Sequence, residues 1–247
     1  MPEIKKNISK LFIILIIGGI GGVCADQFFL PYLNTIPFFS KIEFIHRTGN
    51  GTTIINPTER ITITENTAIE QAIEKITPCI VSIWSYKNKK IISQSTGFII
   101  TSDGLIITTS DSVPPQADQY LVFRNGHSSD LKINKVDLEN NLALLKVEET
   151  NLPVVSFANL NNLKLGERAI LVGSELINEK LNYFVNLGII RSINENKLEI
   201  NIVQENILAN GSPLINIKGE VIGLNLINEE EIIKIIPVNI VKKFIGL

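Results

Sequence analysis

Three observations predict an all-β domain standing behind an apolar N-terminal helix. First, from residue 80 onward short apolar or alternating runs recur, separated by turn signals such as Ser102-Asp103-Gly104, Arg124-Asn125-Gly126 and Lys218-Gly219. Second, about a dozen such runs crowd into roughly 170 residues, a density that argues for barrels or a sandwich. Third, the chain is rich in Ile and Asn, which suit strands and turns respectively.

The elements follow in order. Lys5, Lys6 and Lys10 precede an uncharged apolar run from Leu11 to Ala25. Asp26 and Gln27 interrupt it before Phe28-Phe29-Leu30-Pro31-Tyr32-Leu33. Carried to Leu30, the run approaches the ~20 residues of a bilayer span. The basic flank then keeps residues 1–10 in the cytoplasm. The expectation is a transmembrane signal-anchor over 11–30, with everything after it outside the cytoplasm. A cleaved signal peptide ending near Val23-Cys24-Ala25 is the alternative.

Residues 31–66 read as a juxtamembrane linker. It holds the Asn50-Gly51-Thr52 glycosylation pattern and His46, expected as an exposed linker histidine. Within it, Arg60-Ile61-Thr62-Ile63-Thr64 alternates like a short strand. Thr67 is expected to cap a helix running through Lys75: Glu70 completes a capping box, and Ile69, Ala72, Ile73 and Ile76 share one face. Pro78 ends it.

Strands are then expected at Ile80–Tyr86, Ile91–Gln94, Gly97–Thr101, Leu105–Thr109, Tyr120–Phe123, Leu131–Val136, Ala143–Val147, Ala169–Gly173, Phe184–Ser192, Leu198–Val203, Pro213–Ile217, Glu220–Ile227 and Glu231–Pro237. A last helix is read at Val238–Phe244 from the shared face of Ile240, Val241 and Phe244.

Composition limits the function. With 45% hydrophobic and 19% charged residues and a net charge of -2, the chain can bury a sizeable core, and nothing in it calls for a nucleic-acid partner. Cys24 and Cys79 lie in different segments, so no disulfide within the domain is expected. No CxxC or Cys/His cluster suggests a metal, and no cofactor is expected.

From about Ala68 onward the order of motifs resembles the protease domain of the HtrA/Deg group in the chymotrypsin-like superfamily. Thr77-Pro78-Cys79-Ile80-Val81-Ser82-Ile83 resembles that group's opening strand. Gly97-Phe98-Ile99-Ile100-Thr101-Ser102-Asp103-Gly104-Leu105-Ile106-Ile107-Thr108 is close to its Gly-x-Ile-Ile-x-x-Asp-Gly-x-Ile-x-Thr hairpin, and Leu142-Ala143-Leu144-Leu145-Lys146-Val147 to its Leu-Ala-x-Leu-Lys strand. Gly188-Ile189-Ile190, then Gly219-Glu220-Val221-Ile222-Gly223-Leu224-Asn225, then Ile236-Pro237, follow in the family's order. The resemblance implies a chymotrypsin-like double β-barrel over 67–247, with barrels at about 79–150 and 155–247 and the active site between them. In that group PDZ domains often follow the protease domain; with the chain ending at Leu247, none is expected here.

The resemblance also implies where the chemistry should sit. The family histidine falls at Asp111, the family aspartate at Asn141, and the family serine at Asn210, within Leu208-Ala209-Asn210-Gly211-Ser212-Pro213-Leu214. A serine protease needs a hydroxyl nucleophile, an imidazole to take its proton and a carboxylate to orient the imidazole. A carboxylate at Asp111 is a poor base at neutral pH, and a carboxamide at Asn141 or Asn210 has neither role. The family glycine that helps to form the oxyanion hole corresponds to Leu208, and Gln204–Leu208 is about four residues shorter than in the family.

The expectation is an inactive, membrane-anchored pseudoprotease outside the cytoplasm, holding a peptide or protein in the cleft by strand addition. Two alternatives stay open. One is an active serine endopeptidase with relocated groups, in which Ser212 is the nucleophile; Ser112 and His127 are the other groups considered, and Lys218 lies only across a predicted turn. The other is a structural part of an envelope complex. A polar network among Asp111, Asn141 and Asn210 that merely stabilises the barrel interface is their plain structural role.

Overall fold

The computed structural model describes residues 2–29, 32, 57–178, 180–194 and 196–247. His46 and the Asn50-Gly51-Thr52 pattern lie outside the described residues. The chain divides into two compact units, Met1–Arg60 and Ile61–Leu247.

In the first unit, helix α1 spans Pro2–Cys24 and continues as a wider π-helical stretch, Ala25–Phe29. The side chains of Ile13, Ile14, Leu15, Ile16, Ile17, Ile20 and Val23 are exposed. Among the described residues no helix is long and apolar enough to cross a membrane. The span expected over 11–30 is therefore not met as such: the helix is there, but the uncharged apolar run Leu11–Ala25 falls short of the ~20 residues a bilayer needs before Asp26 interrupts it.

Helix α2 spans Pro57–Ile76, and all of it from Ile61 onward belongs to the second unit. This overturns two expectations. Residues 60–64 are helical, not a strand, and Thr67 lies inside the helix, so Thr67 and Glu70 form no N-terminal cap. The physical reason is at the start: Pro57 takes the first helical position, where its missing N–H costs nothing, and Glu59 suits the positive end of the helix dipole. Five residues of alternation do not outweigh that.

Thirteen strands follow among the described residues. The first six are β1 (Ile80–Lys87), β2 (Lys90–Ile99), β3 (Leu105–Thr108), β4 (Gln119–Arg124), β5 (His127–Asp137) and β6 (Leu142–Val147). They close into a barrel in the order β1-β2-β3-β6-β5-β4. The two runs read separately at 91–94 and 97–101 form one strand that ends at Ile99, because Ser95 and Thr96 between them keep pairing with Ile83 and Ser82 of β1; Asn88 and Lys89, both at positive φ (50° and 61°), make the tight turn that sets β2 against β1.

The remaining strands are β7 (Ser156–Phe157), β8 (Arg168–Ile177), β9 (Lys180–Asn194), β10 (Lys197–Ile200), β11 (Pro213–Ile215), β12 (Glu220–Ile227) and β13 (Ile233–Pro237). Six of them run β11-β8-β9-β10-β13-β12, and a β11–β12 pairing closes the ring; β7 adds to β12 in parallel. The fold is an all-β, chymotrypsin-like pair of six-stranded barrels. Helix α3 (Val238–Ile245) ends at Gly246, whose φ of 86° suits a C-terminal cap, and Lys135 Nζ from the first barrel donates to the Phe244 carbonyl at 2.9 Å.

Apolar burial explains the arrangement. Val81, Ile83, Ile99, Ile106 and Leu145 fill the first barrel, and Ala169, Leu171, Ile190, Leu214 and Ile222 the second. A third cluster joins them. In it Ile69, Ala72 and Ile76 of α2 pack with Ile80, Phe98, Leu142, Ile170, Leu224 and Val241. Phe98, Ile80 and Ile170 are fully buried there, each contributing about 1.5–3 kcal/mol of hydrophobic stabilisation.

Candidate active-site groove

The groove is made by β2 and the turn after β3 on one barrel, and by the loops before β11 and after β12 on the other. It encloses about 810 Å³ and is lined by Ile91, Ile92, Ser93, Gln94, Asp111, Ile207, Leu208, Asn210, Ile227, Asn228 and Glu229. Asp111 and Asn210, expected at two of the three triad positions, thus face one space.

Asp111 sits in a short 3-10 turn, Ser110–Ser112, directly after β3. Asn141 reaches that turn from the start of β6, where it takes a left-handed φ of 53°, a conformation Asn tolerates better than most residues. Its Nδ2 donates to Asp111 Oδ2 at 2.6 Å, and its Oδ1 accepts from Ser110 Oγ at 2.7 Å and from the Asp111 N–H at 3.3 Å. One carboxamide therefore pins both the side chain and the backbone of the turn.

Asn210 is not part of that cluster. It is 6% exposed, and its Oδ1 accepts the Ile227 N–H at 3.0 Å. Its own N–H donates to the Ile207 carbonyl at 2.9 Å, while its carbonyl accepts from the Thr96 N–H at 2.9 Å. The expected three-residue network is thus two separate pieces: Asp111 with Asn141, and Asn210 with Ile227.

The loop before β11 explains why. Asn206 accepts the Leu208 N–H on its Oδ1 at 2.9 Å and starts a 3-10 turn, Ile207–Ala209. Ala209 N–H donates to Asn206 O, Gly211 N–H to Asn225 O and Ser212 N–H to Ala209 O. Every backbone donor from Leu208 to Ser212 is consumed internally. An oxyanion hole needs such donors converging on an open point. Sequence reasoning missed this cap, although an Asn two residues ahead of the donor it satisfies is a recognisable Asx-turn signal.

A seam of buried hydroxyls holds the loop to both barrels. Thr96 Oγ1 donates to the Leu208 carbonyl at 2.7 Å and accepts the Ser174 N–H at 3.0 Å. Thr108 Oγ1 donates to Thr96 O at 2.8 Å. Gly211, at φ 81°, threads between them: a Cβ there would lie 2.1 Å from Thr108 Oγ1 and 2.3 Å from Thr96 O. The strand residues of this seam show no periodic signal that the sequence could have revealed.

The relocated-nucleophile residues lie elsewhere. Ser212 is fully buried outside the groove lining, its Oγ accepting from Asn225 Nδ2 at 2.9 Å. Ser112 is also buried, with its Oγ bonded to Thr108 and Thr109. His127 is exposed at the tip of the β4–β5 hairpin, opposite Arg124 and near Glu149. Among the described residues no histidine lines the groove. Lys218 lines a different pocket, with Arg168 and Glu220. No group of His, Cys, Asp and Glu among the described residues could hold a metal. Carboxylates held clearly below their ordinary range, such as Asp103 bonded by Lys146 and Glu149 bonded by Ser129, are also remote from the groove.

Comparison with known proteins agrees with this architecture. Residues 95–224 match the model of the trypsin-like peptidase domain. Serine protease HTRA1A of Danio rerio is 30% identical over 202 residues, 74% of this chain and 41% of that protein. The probable periplasmic serine endoprotease DegP-like of Chlamydia pneumoniae is 31% identical over 140 residues, covering 53% of this chain and 28% of that one. The chain spans less than half the length of these curated relatives. Among solved structures, the serine endoprotease from Yersinia pestis superposes with a TM-score of 0.61 at 26% identity, over 72% of this chain and 65% of that one. With two closed barrels in the same order and a family match across the seam that joins them, the chain belongs to the trypsin-like peptidase domain family.

Proposed function

We propose that this HtrA-like domain is a catalytically silent pseudoprotease that holds an extended peptide in the groove between its barrels. The observation that carries the reading is the fate of the loop donors: Leu208 N–H goes to Asn206 Oδ1 and Asn210 N–H to Ile207 O, both at 2.9 Å. A hydrolase that works through a tetrahedral intermediate needs free donors of this kind, and losing one costs about 10²–10³ in rate. Asp111 and Asn210 supply neither a base nor a nucleophile at neutral pH. The binding half of the reading is supported by the aliphatic lining of Ile91, Ile92, Ile207, Leu208 and Ile227, which suits alternate side chains of an added strand.

Placement outside the cytoplasm, at a membrane, belongs to the same proposal. Support comes from the exposed apolar side chains of α1 behind Lys5, Lys6 and Lys10, and from relatives described as periplasmic. Alkaline carbonate extraction should leave the protein in the membrane pellet; release into the supernatant would remove this part.

For the activity, the purified protein is incubated with a fluorophosphonate probe and with fluorescent unfolded casein. No labelling and no cleavage are expected, together with saturable binding of extended peptides by fluorescence anisotropy. Labelling that disappears on Ser212→Ala would establish the relocated-nucleophile enzyme instead.

A further inference from the structure

The two edges of β12 are used differently along its length. One edge pairs with β13 from Gly223↔Pro237 to Ile227↔Ile233. The other pairs with β11 as far as Leu224↔Pro213. Just beyond, Asn225 N–H donates to Ser212 O and its carbonyl accepts the Gly211 N–H. Backbone groups alternate sides along a strand, so Ile227 turns its N–H to the same edge as Asn225. Among the described residues no strand pairs with that edge past Asn225. The Ile227 N–H meets Asn210 Oδ1 instead, in the wall of the groove.

This contact is chemically a strand contact made by a side chain. A carboxamide oxygen accepts from a backbone N–H much as a peptide carbonyl does. With Ile227 2% exposed, its N–H needs an acceptor, and Asn210 supplies one. An incoming peptide carbonyl would offer the same bond, so the exchange trades one amide acceptor for another.

We infer that Asn210 is a specificity-determining latch on the groove: an extended peptide main chain binds by taking the Ile227 N–H from the Asn210 carboxamide. This rests on the peptide-binding reading above and adds the main-chain atom at which the ligand competes. Ligands that cannot present a backbone carbonyl at that point leave the latch closed.

The test is fluorescence anisotropy with a fluorescein-labelled heptapeptide of alternating valine and threonine, on the whole chain. Asn210→Ala removes the competing acceptor and should tighten binding about three- to tenfold, the range a net hydrogen bond commands. Asn210→Asp keeps an acceptor at Oδ1 and should show no such gain. Equal affinity in the wild type and Asn210→Ala overturns the latch and leaves peptide binding standing. Binding by neither overturns the peptide-binding reading and the latch with it. Should Asn210→Ala fail to fold, the wild type suffices: the NMR coupling across the hydrogen bond between the Ile227 amide nitrogen and the Asn210 carboxamide carbon should vanish at saturating peptide, and its persistence refutes displacement.

Discussion

The backbone N–H of Leu208 donates to the side chain of Asn206, two residues back, at 2.9 Å. This one bond separates two ways in which a protease-like site can be silent. Side chains at Asp111, Asn141 and Asn210 could be exchanged for His, Asp and Ser, but the loop would still turn its donors inward. The triple variant Asp111→His, Asn141→Asp, Asn210→Ser is therefore expected to hydrolyse p-nitrophenyl acetate no faster than the wild type. Adding Asn206→Gly releases the Leu208 N–H and should raise the triple variant's rate about 10²-fold, the value of one oxyanion donor. Equal rates for the triple and quadruple variants would show that the Asn206 cap is not the constraint.

Thr96 joins the loop to both barrels through one hydroxyl, and that makes it more consequential than its size suggests. Replacing it by Val keeps the shape but strands the Ser174 N–H in a buried setting and the Leu208 carbonyl in a part-buried one. Leaving such groups unpaired costs about 1–3 kcal/mol each. Thr96→Val should lower the urea midpoint by an amount equivalent to about 2–4 kcal/mol at unchanged slope, whereas Thr96→Ser should cost under about 1 kcal/mol. A Val variant as stable as wild type would mean that the seam carries no weight.

How much of this was readable beforehand differs by element. The hairpins around Ser102-Asp103-Gly104 and Lys218-Gly219 were legible because turn chemistry is local, and Gly104 and Gly219 do take positive φ (101° and 69°). The meeting of Asp111 with Asn141 followed from motif order, since β3 and β6 are neighbours in the barrel. The strand expected at 60–64 failed because a five-residue alternation is weaker than a proline at the first helical position and the burial of Ile69, Ala72 and Ile76 further along the same helix. The inward-turned donors of the 206–212 loop were not legible from triad positions alone: they depend on Asn206, which no motif marked. Nor was the partner of Asn210, because a strand edge left open at Ile227 is a property of the closed barrel and not of any segment.

Gly211 tests the same seam sterically. At φ 81° an L-residue is strained, and a Cβ would lie 2.1 Å from Thr108 Oγ1 and 2.3 Å from the Thr96 carbonyl, the latter a backbone atom that cannot swing aside. Strain and overpacking each contribute about 1–3 kcal/mol. Gly211→Ala should therefore destabilise by about 2–5 kcal/mol in urea titration, and Gly126→Ala, at an exposed turn where a Cβ meets nothing within 4 Å, by clearly less. Similar losses at the two positions would show that backbone strain alone, not the seam, sets the cost.

Acid should weaken the first barrel through Asp103. Lys146 Nζ donates to Asp103 Oδ2 at 2.8 Å and also to the Asp103 carbonyl, closing the β2–β3 turn against β6. The hydrogen bond from Lys146 is the main cause that lowers the Asp103 pKa from its ordinary 3.8 to about 2. A carboxylate with a lower pKa in the folded chain binds fewer protons there than in the unfolded chain, so its stabilisation is complete above about pH 4 and fades as pH falls towards 2. The stability difference between the wild type and Asp103→Asn, followed by urea titration from pH 6 to pH 2, should be constant down to about pH 4 and then shrink. Asp103→Asn leaves the Lys146 bond to the backbone carbonyl available, so the titrating part is isolated from the part that does not titrate. A difference that stays flat to pH 2, or one that grows, would mean that the Asp103 carboxylate does not hold this turn.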